Sequence, residues 1–221
     1  MTHTTRVWDL PTRIFHWALL MFVIFLAISG LRGGGAMVWH FRFGYCVLTL
    51  LLFRVIWGVV GGRWSRFGSF IYAPSTVISY LRGEGKPEHS VGHNPLGAGS
   101  VFAMIFFLLA QVGTGLFADD DIANSGPLSK FVSNATVGLV TGYHKNYGKY
   151  ILLLLVVLHI GAVLYYLVKK KENLITPMIK GDKVLAHAVG HSRDDAASRS
   201  VAAAVLAVCA IAVATMVKLA G

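Results

Sequence analysis

The chain has 221 residues, of which 55% are apolar and only 14% are charged, and its formal net charge is +10. A soluble domain carries about a quarter charged residues, and several apolar runs here are long enough to cross a bilayer. The composition therefore indicates an integral membrane protein and excludes an ordinary soluble enzyme. The two cysteines, each inside an apolar run, exclude a disulfide framework and any zinc or iron–sulfur site held by four thiolates of this chain.

Five apolar segments predict five transmembrane helices, because lipid cannot satisfy free backbone groups. In chain order, spans one to five are Ile14–Leu31, His40–Val60, Leu96–Phe117, Tyr150–Val168 and Val201–Leu219. The loop after span two contains a predicted interfacial helix at Pro74–Leu81. Span one could also be a cleaved signal peptide, although Trp8, Asp9 and Pro11 favour a retained segment.

The basic residues are concentrated on one side of these spans, which predicts a cytoplasmic N-terminus and places Gly221 outside. The net positive charge is thus explained by membrane topology and does not call for nucleic acid. On the opposite side, the acidic run Asp119–Asp121 could dock a cationic partner or form a solvated loop. The basic residues are Arg6, Arg13, Arg63, Arg66, Arg82, Lys86, Lys169–Lys171, Lys180, Lys183, Arg193 and Arg199.

Four of the nine histidines lie in or at the ends of spans one, two and four: His16, His40, His144 and His159. Ionisable residues at membrane depth are rare and usually functional. His144 and His159 are 15 residues apart, which on one helix gives a rise of about 22 Å and a rotation of roughly 60°. Both therefore point to the same broad face, so two sites can stack along one helix.

Topology predicts which histidines share a depth: His16 with His159 near the cytoplasmic side, and His40 with His144 near the outer side. Paired neutral imidazoles from facing helices are the axial ligands of a low-spin b-type haem. A histidine proton relay, a transporter, or simple packing are the alternatives. A di-zinc or di-iron site is disfavoured because the spans lack the carboxylates that such sites recruit.

Six short motifs recur together along the chain: Val7–Trp17, Trp39–Tyr45, Phe53–Gly58, Gly92–Gly97, Gly113–Phe117 and Lys171–Leu174. In this combination the chain resembles prokaryotic cytochrome b561 proteins and the related cytochrome b subunits of nickel–iron hydrogenases. The resemblance covers roughly residues 6–183. It implies an all-α membrane protein with a four-helix haem-binding bundle, two b haems, and electron exchange with ubiquinone or another quinone.

The resemblance also implies a domain organisation and exposes one departure. Residues 1–183 form the di-haem domain, 184–200 a polar linker, and 201–221 an additional C-terminal helix outside the family pattern. The histidine pair of span four is one residue closer together in the family than in this chain. A π-bulge could absorb the extra residue at His144.

Other residues have weaker predicted roles. Arg54 lies 14 residues past His40, about 21 Å along the helix, where it could bind a propionate of the inner haem or extend to the interface. Arg13 is a second candidate for the inner haem. Candidates for the outer haem are Arg42, Lys145 and Lys149.

Close approach of a porphyrin to the backbone is predicted at the glycines Gly44, Gly113, Gly115 and Gly148. A quinone contact is predicted for His93 and Asn94.

These observations predict a di-haem b-type cytochrome of the bacterial inner membrane that transfers electrons between the quinone pool and a redox partner at the periplasmic side, such as a cytochrome c or a dehydrogenase. One alternative is a superoxide:ubiquinone oxidoreductase, with cations near the outer haem attracting the anion. Another is the membrane anchor of a hydrogenase-like dehydrogenase, docked through span five. The sequence does not decide between an electron-transfer protein and an enzyme, and leaves the direction of electron flow open.

Overall fold

The structure is a computed structural model that describes residues 2–120 and 122–220. The predictions made for Asp121, within the acidic run, and for the position of Gly221 fall outside the described residues. Within them the helices are α1 Leu10–Arg32, α2 Met37–Val60, α3 Pro74–Leu81, α4 Pro95–Phe117, α5 Asn134–Tyr143, α6 Lys149–Val168, α7 Ile175–Lys180 and α8 Ala196–Ala220. The strands are β1 His3–Arg6 and β2 Asp182–Leu185.

Short helical segments of other types complete the chain. A π-helical segment, His144–Gly148, joins α5 directly to α6. The 3₁₀ segments are Gly34–Ala36, Phe67–Ser69, Pro87–Ser90 and Ser129–Phe131.

Five helical segments are long and apolar enough to cross a membrane, which confirms the predicted all-α membrane protein. They are Leu10–Arg32, Gly34–Val60, Pro95–Phe117, Asn134–Val168 and Ala196–Ala220. The predicted bounds of the fourth span were wrong at its start: it begins at Asn134, not Tyr150, because α5, the π segment and α6 are continuous. The predicted short helix at Pro74–Leu81 is confirmed as α3.

Polar side chains define where several helices begin. Asp9 accepts a hydrogen bond from the backbone amide of Thr12 (2.8 Å) at the start of α1, and Asn94 accepts one from Gly97 (2.7 Å) at the start of α4. Each satisfies an amide that has no partner within its helix. Between α1 and the 3₁₀ turn, Gly33 has φ of 61°, a conformation that side chains disfavour.

The described residues form two compact units. The first contains the residues up to Phe15, Arg54–Ala103 and Val157–Val205. In it β1 and β2 pair antiparallel, with Arg6 opposite Asp182. A small core of Val7, Trp8, Val91 and Leu185 packs beside this two-stranded sheet.

Two further contacts hold the first unit together. The hydroxyl oxygens of Tyr80 and Tyr166 are 2.8 Å apart and link α3 to the end of α6. Ser192 donates a hydrogen bond to the carbonyl of Val7 (2.7 Å), so the segment after β2 is also packed on the N-terminal residues.

The second unit contains His16–Phe53, Met104–Val156 and the chain from Leu206 on. Its core is Val47 and Leu51 of α2 with Val112 of α4, packed against side chains that include Leu19 and Leu108. The face of α2 towards α1 is aromatic: Phe43 lies 5.1 Å from Phe25 between ring centroids. The histidines described next belong to the same unit.

Candidate functional site

Two of the predicted histidines meet in the second unit. His40 is in the first turn of α2, and His144 opens the π segment. Their ring centroids are 6.1 Å apart, with ring planes at 86°. Both side chains are half-buried. When two imidazoles bind the same metal ion, each through a nitrogen at about 2 Å, the distance between their ring centroids is similar to this one.

Hydrogen bonds fix which nitrogen of each ring carries the proton. Nδ1 of His40 is 3.1 Å from the carbonyl oxygen of Leu26, and Nδ1 of His144 is 2.8 Å from that of Gln111. A carbonyl only accepts, so Nδ1 of each ring is the donor and Nε2 keeps its lone pair. This second bond, from ring to carbonyl, is typical of metal-binding histidines.

Glycines give both imidazoles their space. A Cβ built at Gly115 would lie 2.9 Å from Cε1 of His144, and one at Gly30 would lie 3.1 Å from Cε1 of His40. Any side chain at Gly115 would therefore displace the ring. Of the other glycines predicted near a porphyrin, a Cβ at Gly44 or Gly113 would meet no atom within 4 Å among the described residues.

A π-helical segment lies at the start of the stretch between His144 and His159, and it runs from His144 to Gly148. A π-helical turn accommodates one additional residue in a helix, so the π-bulge predicted at His144 is present. Such single turns occur frequently at functional sites.

The other predicted pair lies in different units: His16 in the second and His159, on α6, in the first. Both side chains are half-buried. The ring of His16 packs edge-on to Trp17, with centroids 5.0 Å apart. The pairing of His16 with His159 stays a prediction.

Arg54 is the most deeply buried of the predicted basic residues, with 2% of its surface exposed. Its guanidinium carbon lies 4.6 Å from the ring centroid of Phe67, a cation–π contact. Its Nη1 atom has no hydrogen-bond partner among the described residues. Burying a charge costs several kcal/mol unless it is paired, so this nitrogen is ready for an anionic acceptor such as a carboxylate.

The remaining basic candidates differ in surroundings. Arg13 donates to the carbonyl of Ile179 (2.6 Å) and is also near Asp194 (4.0 Å). Arg42 is exposed and stacks over Trp39 at 4.9 Å. Lys145 donates to the carbonyl of Asp119 (3.3 Å), and Lys149 lies over Tyr150 at 4.9 Å.

The acidic loop is held by its own backbone. Asp120 accepts hydrogen bonds from the amides of Ile122, Ala123 and Asn124 at 2.9–3.0 Å. The bonds from the backbone and side chain of Asn124 are the main cause of a pKa of Asp120 far below its usual range. This carboxylate therefore stays charged, but its oxygens are occupied by the loop.

His93 and Asn94, predicted near a quinone, are in structural contacts. The ring of His93 lies between Trp8 and Phe70, at centroid distances of 4.7 and 4.4 Å. The Asn94 side chain caps α4, as described above. Both residues thus have structural contacts, and their contact with a quinone stays a prediction.

The residues present fit a b-type haem held by two imidazoles. His40 and His144 supply two prepared nitrogens, and Gly30 and Gly115 leave room for the two rings. In such a haem the two imidazoles are the protein ligands of the iron and the porphyrin supplies the others.

Fold and sequence together define the class: a multi-pass, all-α membrane cytochrome of b type. Residues 7–181 match the family profile described as prokaryotic cytochrome b561. Since this is well over half of the chain, the protein belongs to the prokaryotic cytochrome b561 family. Membership in the family implies b-type haem and a role in electron transport.

Relatives agree with this assignment. The chain is 24% identical to a "Probable Ni/Fe-hydrogenase B-type cytochrome subunit" of Cupriavidus necator, over 80% of this chain and 86% of the relative. A protein of the same description from Rhizobium leguminosarum bv. viciae is 24% identical, over 80% and 88%. One from Azotobacter chroococcum mcd 1 is 26% identical, over 79% and 86%. No solved structure matches the chain.

Two polar residues of structural importance were not predicted from the sequence: Gln111 at the His40–His144 site, and Asp9 in the first unit. Gln111, whose carbonyl holds the His144 ring, is the only glutamine in the chain and lies inside an apolar span. A single amide at membrane depth is a signal that could have identified it. Asp9 was noted only as part of an interfacial segment, yet it is completely buried.

Proposed function

We propose that the protein is a di-haem b-type cytochrome that carries electrons between the quinone pool and a redox partner of hydrogenase type. His40 and His144 bind one haem, and His16 and His159 bind the other. The observation that carries the proposal is the His40–His144 pair, in which both Nδ1 atoms donate to backbone carbonyls. In that arrangement both Nε2 lone pairs are available as ligands, and the orientation of each ring is set by a protein hydrogen bond.

Each group of residues has a defined part. Bound haem iron supplies one-electron transfer. The carbonyls of Leu26 and Gln111 orient the two imidazoles and raise their basicity. Arg54 neutralises a propionate, and the apolar core of the second unit keeps water away from the site.

The partner and the topology extend the same proposal. The relatives are described as probable subunits of Ni/Fe hydrogenases, which favours the hydrogenase-like alternative over a periplasmic cytochrome c. We assign residues 1–183 to the di-haem domain and 201–221 to an additional helix. The excess of basic residues in the loops supports a cytoplasmic N-terminus in the bacterial inner membrane.

A reduction experiment tests the quinone part. The purified protein is mixed anaerobically with a soluble quinol, and the reduced-haem absorbance is compared with that after dithionite. Reduction of a substantial fraction by quinol supports the proposal. If dithionite reduces the haem and quinol does not, the quinone role is wrong. Co-purification of a hydrogenase-type partner from native membranes in mild detergent tests the proposed redox partner.

Exposed cations beside the paired histidines favour a second candidate, oxidation of superoxide at that site. Arg42 and Lys145 are exposed and lie within two residues of His40 and His144, where they raise the local concentration of an anion. Stopped-flow mixing with superoxide separates the candidates. Fast haem reduction that slows steeply with added salt supports this activity, and no reaction excludes it.

A further inference from the structure

We infer that Gln111 and Gly148 are positioning residues that lock the π segment and thereby fix the ring of His144. The inference rests on the proposed role of His144 as a haem ligand. It gives Gln111 a role that the sequence did not predict, and it gives Gly148 a role other than the predicted approach of a porphyrin.

Gln111 contacts His144 in two ways. Its backbone carbonyl accepts the Nδ1 proton of the ring (2.8 Å), and its side-chain Nε2 donates to the backbone carbonyl of His144 (3.1 Å). One residue of α4 thus holds both the ring and the backbone of the same histidine. Neither the height of the His144 backbone nor the rotation of its ring can change without breaking one of these bonds.

The second bond falls where the helix most needs a donor. His144 is the first residue of the π segment, where the regular backbone hydrogen-bond pattern changes. A donor from a neighbouring helix stabilises a carbonyl at such a break, especially in lipid, where no water substitutes. The amide of Gln111 is placed to select the π register over a regular α-helical one.

Gly148 makes room for this amide. A Cβ built at Gly148 would overlap Oε1 of Gln111 and would lie 2.9 Å from Cε1 of Tyr143. Oε1 is buried and has no hydrogen-bond partner among the described residues. The amide is therefore held by its donor end, with its oxygen turned into the space that the glycine leaves.

Thr114 is the other polar side chain of α4 near the ring, and its geometry is poorer. Its hydroxyl is 3.4 Å from Nδ1 of His144 but donates at 2.7 Å to the carbonyl of Ala110 in its own helix. The positioning role therefore falls to Gln111.

The test uses four variants: Gln111→Leu, Gly148→Ala, Gln111→Ala and the double variant Gln111→Ala/Gly148→Ala. The double variant is compared with Gln111→Ala, and the other variants are compared with the parent. Haem content, apparent haem affinity and the EPR signature of the ferric haems are measured on the purified full chain. These variants keep the backbone carbonyl that holds the His144 ring and remove or displace the amide that fixes its backbone. We therefore expect the binding of one haem to weaken by about 10-fold, the lower end of the range for outer-shell partners, with its EPR signature shifted. The haem of His16 and His159 should remain.

In the Gln111→Ala background, we expect Gly148→Ala to cost less than in the parent, because the closest atom that its Cβ would strike is gone and the Tyr143 ring is the remaining contact. Thr49→Val is the matched control, since that hydroxyl donates to Tyr45 in its own helix (2.9 Å). Its haem content and EPR signature should equal those of the parent.

Two results would overturn this inference and leave the proposed function unaffected. One is a Gln111→Leu protein with parental haem content, affinity and EPR signature. The other is loss of both haems together, which marks a general folding role rather than the positioning of His144. If the parent protein itself holds no haem, the proposed function fails and this inference fails with it.

Discussion

At the scale of single residues, the buried carboxylate of Asp9 holds several hydrogen-bond donors of the first unit in place. It is fully buried and accepts four hydrogen bonds, from the amides of Thr12 and Gly62, the indole of Trp57 and the hydroxyl of Ser65, at 2.7–3.2 Å. Both carboxylate oxygens of this buried side chain are therefore satisfied. It also interacts electrostatically with Arg54, so it helps to hold that cation in place.

Replacing Asp9 with Ala should leave these donors buried without an acceptor. We expect a loss of about 3 kcal/mol in stability, equivalent to a fall of roughly 6–12 °C in apparent melting temperature for a chain of this size. Thermal denaturation in detergent measures it. Glu84→Gln, an exposed change, is the control, and equal melting temperatures for the two variants would contradict the structural role of Asp9.

Arg54 is the residue whose charge should influence a haem. A positive charge nearby favours the reduced state, so Arg54→Leu should lower the midpoint potential of one haem by about 60 mV, the one-electron equivalent of a tenfold change. Redox titration measures it. Arg54→Lys keeps the charge and should retain most of the potential, and Arg82→Leu, at an exposed position, should not change it. An unaltered potential with full haem content in Arg54→Leu would exclude the propionate contact.

At the scale of elements, the two-stranded sheet and the start of α8 are held by one acidic side chain. Asp194 accepts from the amide of Leu10 (3.0 Å), Nη1 of Arg6 (3.1 Å) and Nε of Arg199 (3.0 Å). Its side chain is only 7% exposed. Burial alone raises the pKa of Asp194, but the hydrogen bonds from Arg199 and Leu10 and the charges of Arg199 and Arg6 outweigh it, so the pKa is lowered.

A lowered pKa in the folded state means that Asp194 stabilises the fold at neutral pH. This contribution is lost as the pH falls through the folded-state pKa, below the usual Asp value of about 3.9. Amide exchange in β1 and β2, corrected for intrinsic rates, should accelerate there. Asp194→Asn should show faster exchange already at neutral pH, by roughly tenfold for a loss near 1.4 kcal/mol. Exchange equal to the parent at both pH values would show that Asp194 does not hold the sheet.

The helices could be predicted from sequence because lipid leaves few alternatives for an apolar run. Span four was predicted to begin too late, since α5 and the π segment contain Gly138, Thr141 and Lys145, which interrupt the apolar pattern without breaking the helix. The sheet was missed because β1 and β2 have four residues each and show no alternation of apolar residues. Their pairing depends on contacts distant in sequence, which no local pattern reveals.

The same distinction applies to the candidate site. His40 and His144 could be paired from depth alone, because helix rise converts spacing into height. Gln111 could not be assigned to His144, since the contact depends on how α4 and the π segment are rotated against each other. Every residue has a backbone carbonyl, so the residue type does not indicate which carbonyl accepts a hydrogen bond from a histidine.

At the scale of the whole molecule, the C-terminal helix is the part outside the family match, which ends at residue 181. α8 buries Cys209 and Val213 in the second unit, and Arg199 at its start binds Asp194. We therefore expect α8 to stabilise the protein without supplying any haem ligand.

Truncation after Asp195 tests this division of roles. The shortened chain should keep both haems, because all four histidines lie before the cut, while its apparent melting temperature falls. Haem analysis and thermal denaturation of both lengths measure the two effects. A truncated protein that folds but loses the haem of His40 and His144 would show that α8 belongs to the haem domain.

Haem stoichiometry shows whether the protein holds two haems, each bound by a pair of histidines. The pyridine haemochrome assay is run against protein mass for the purified parent, His144→Ala and His159→Ala. We predict two b haems per chain in the parent and one in each variant, with a different haem missing in each. A well-folded parent without haem, or variants that keep the parental content, would contradict it.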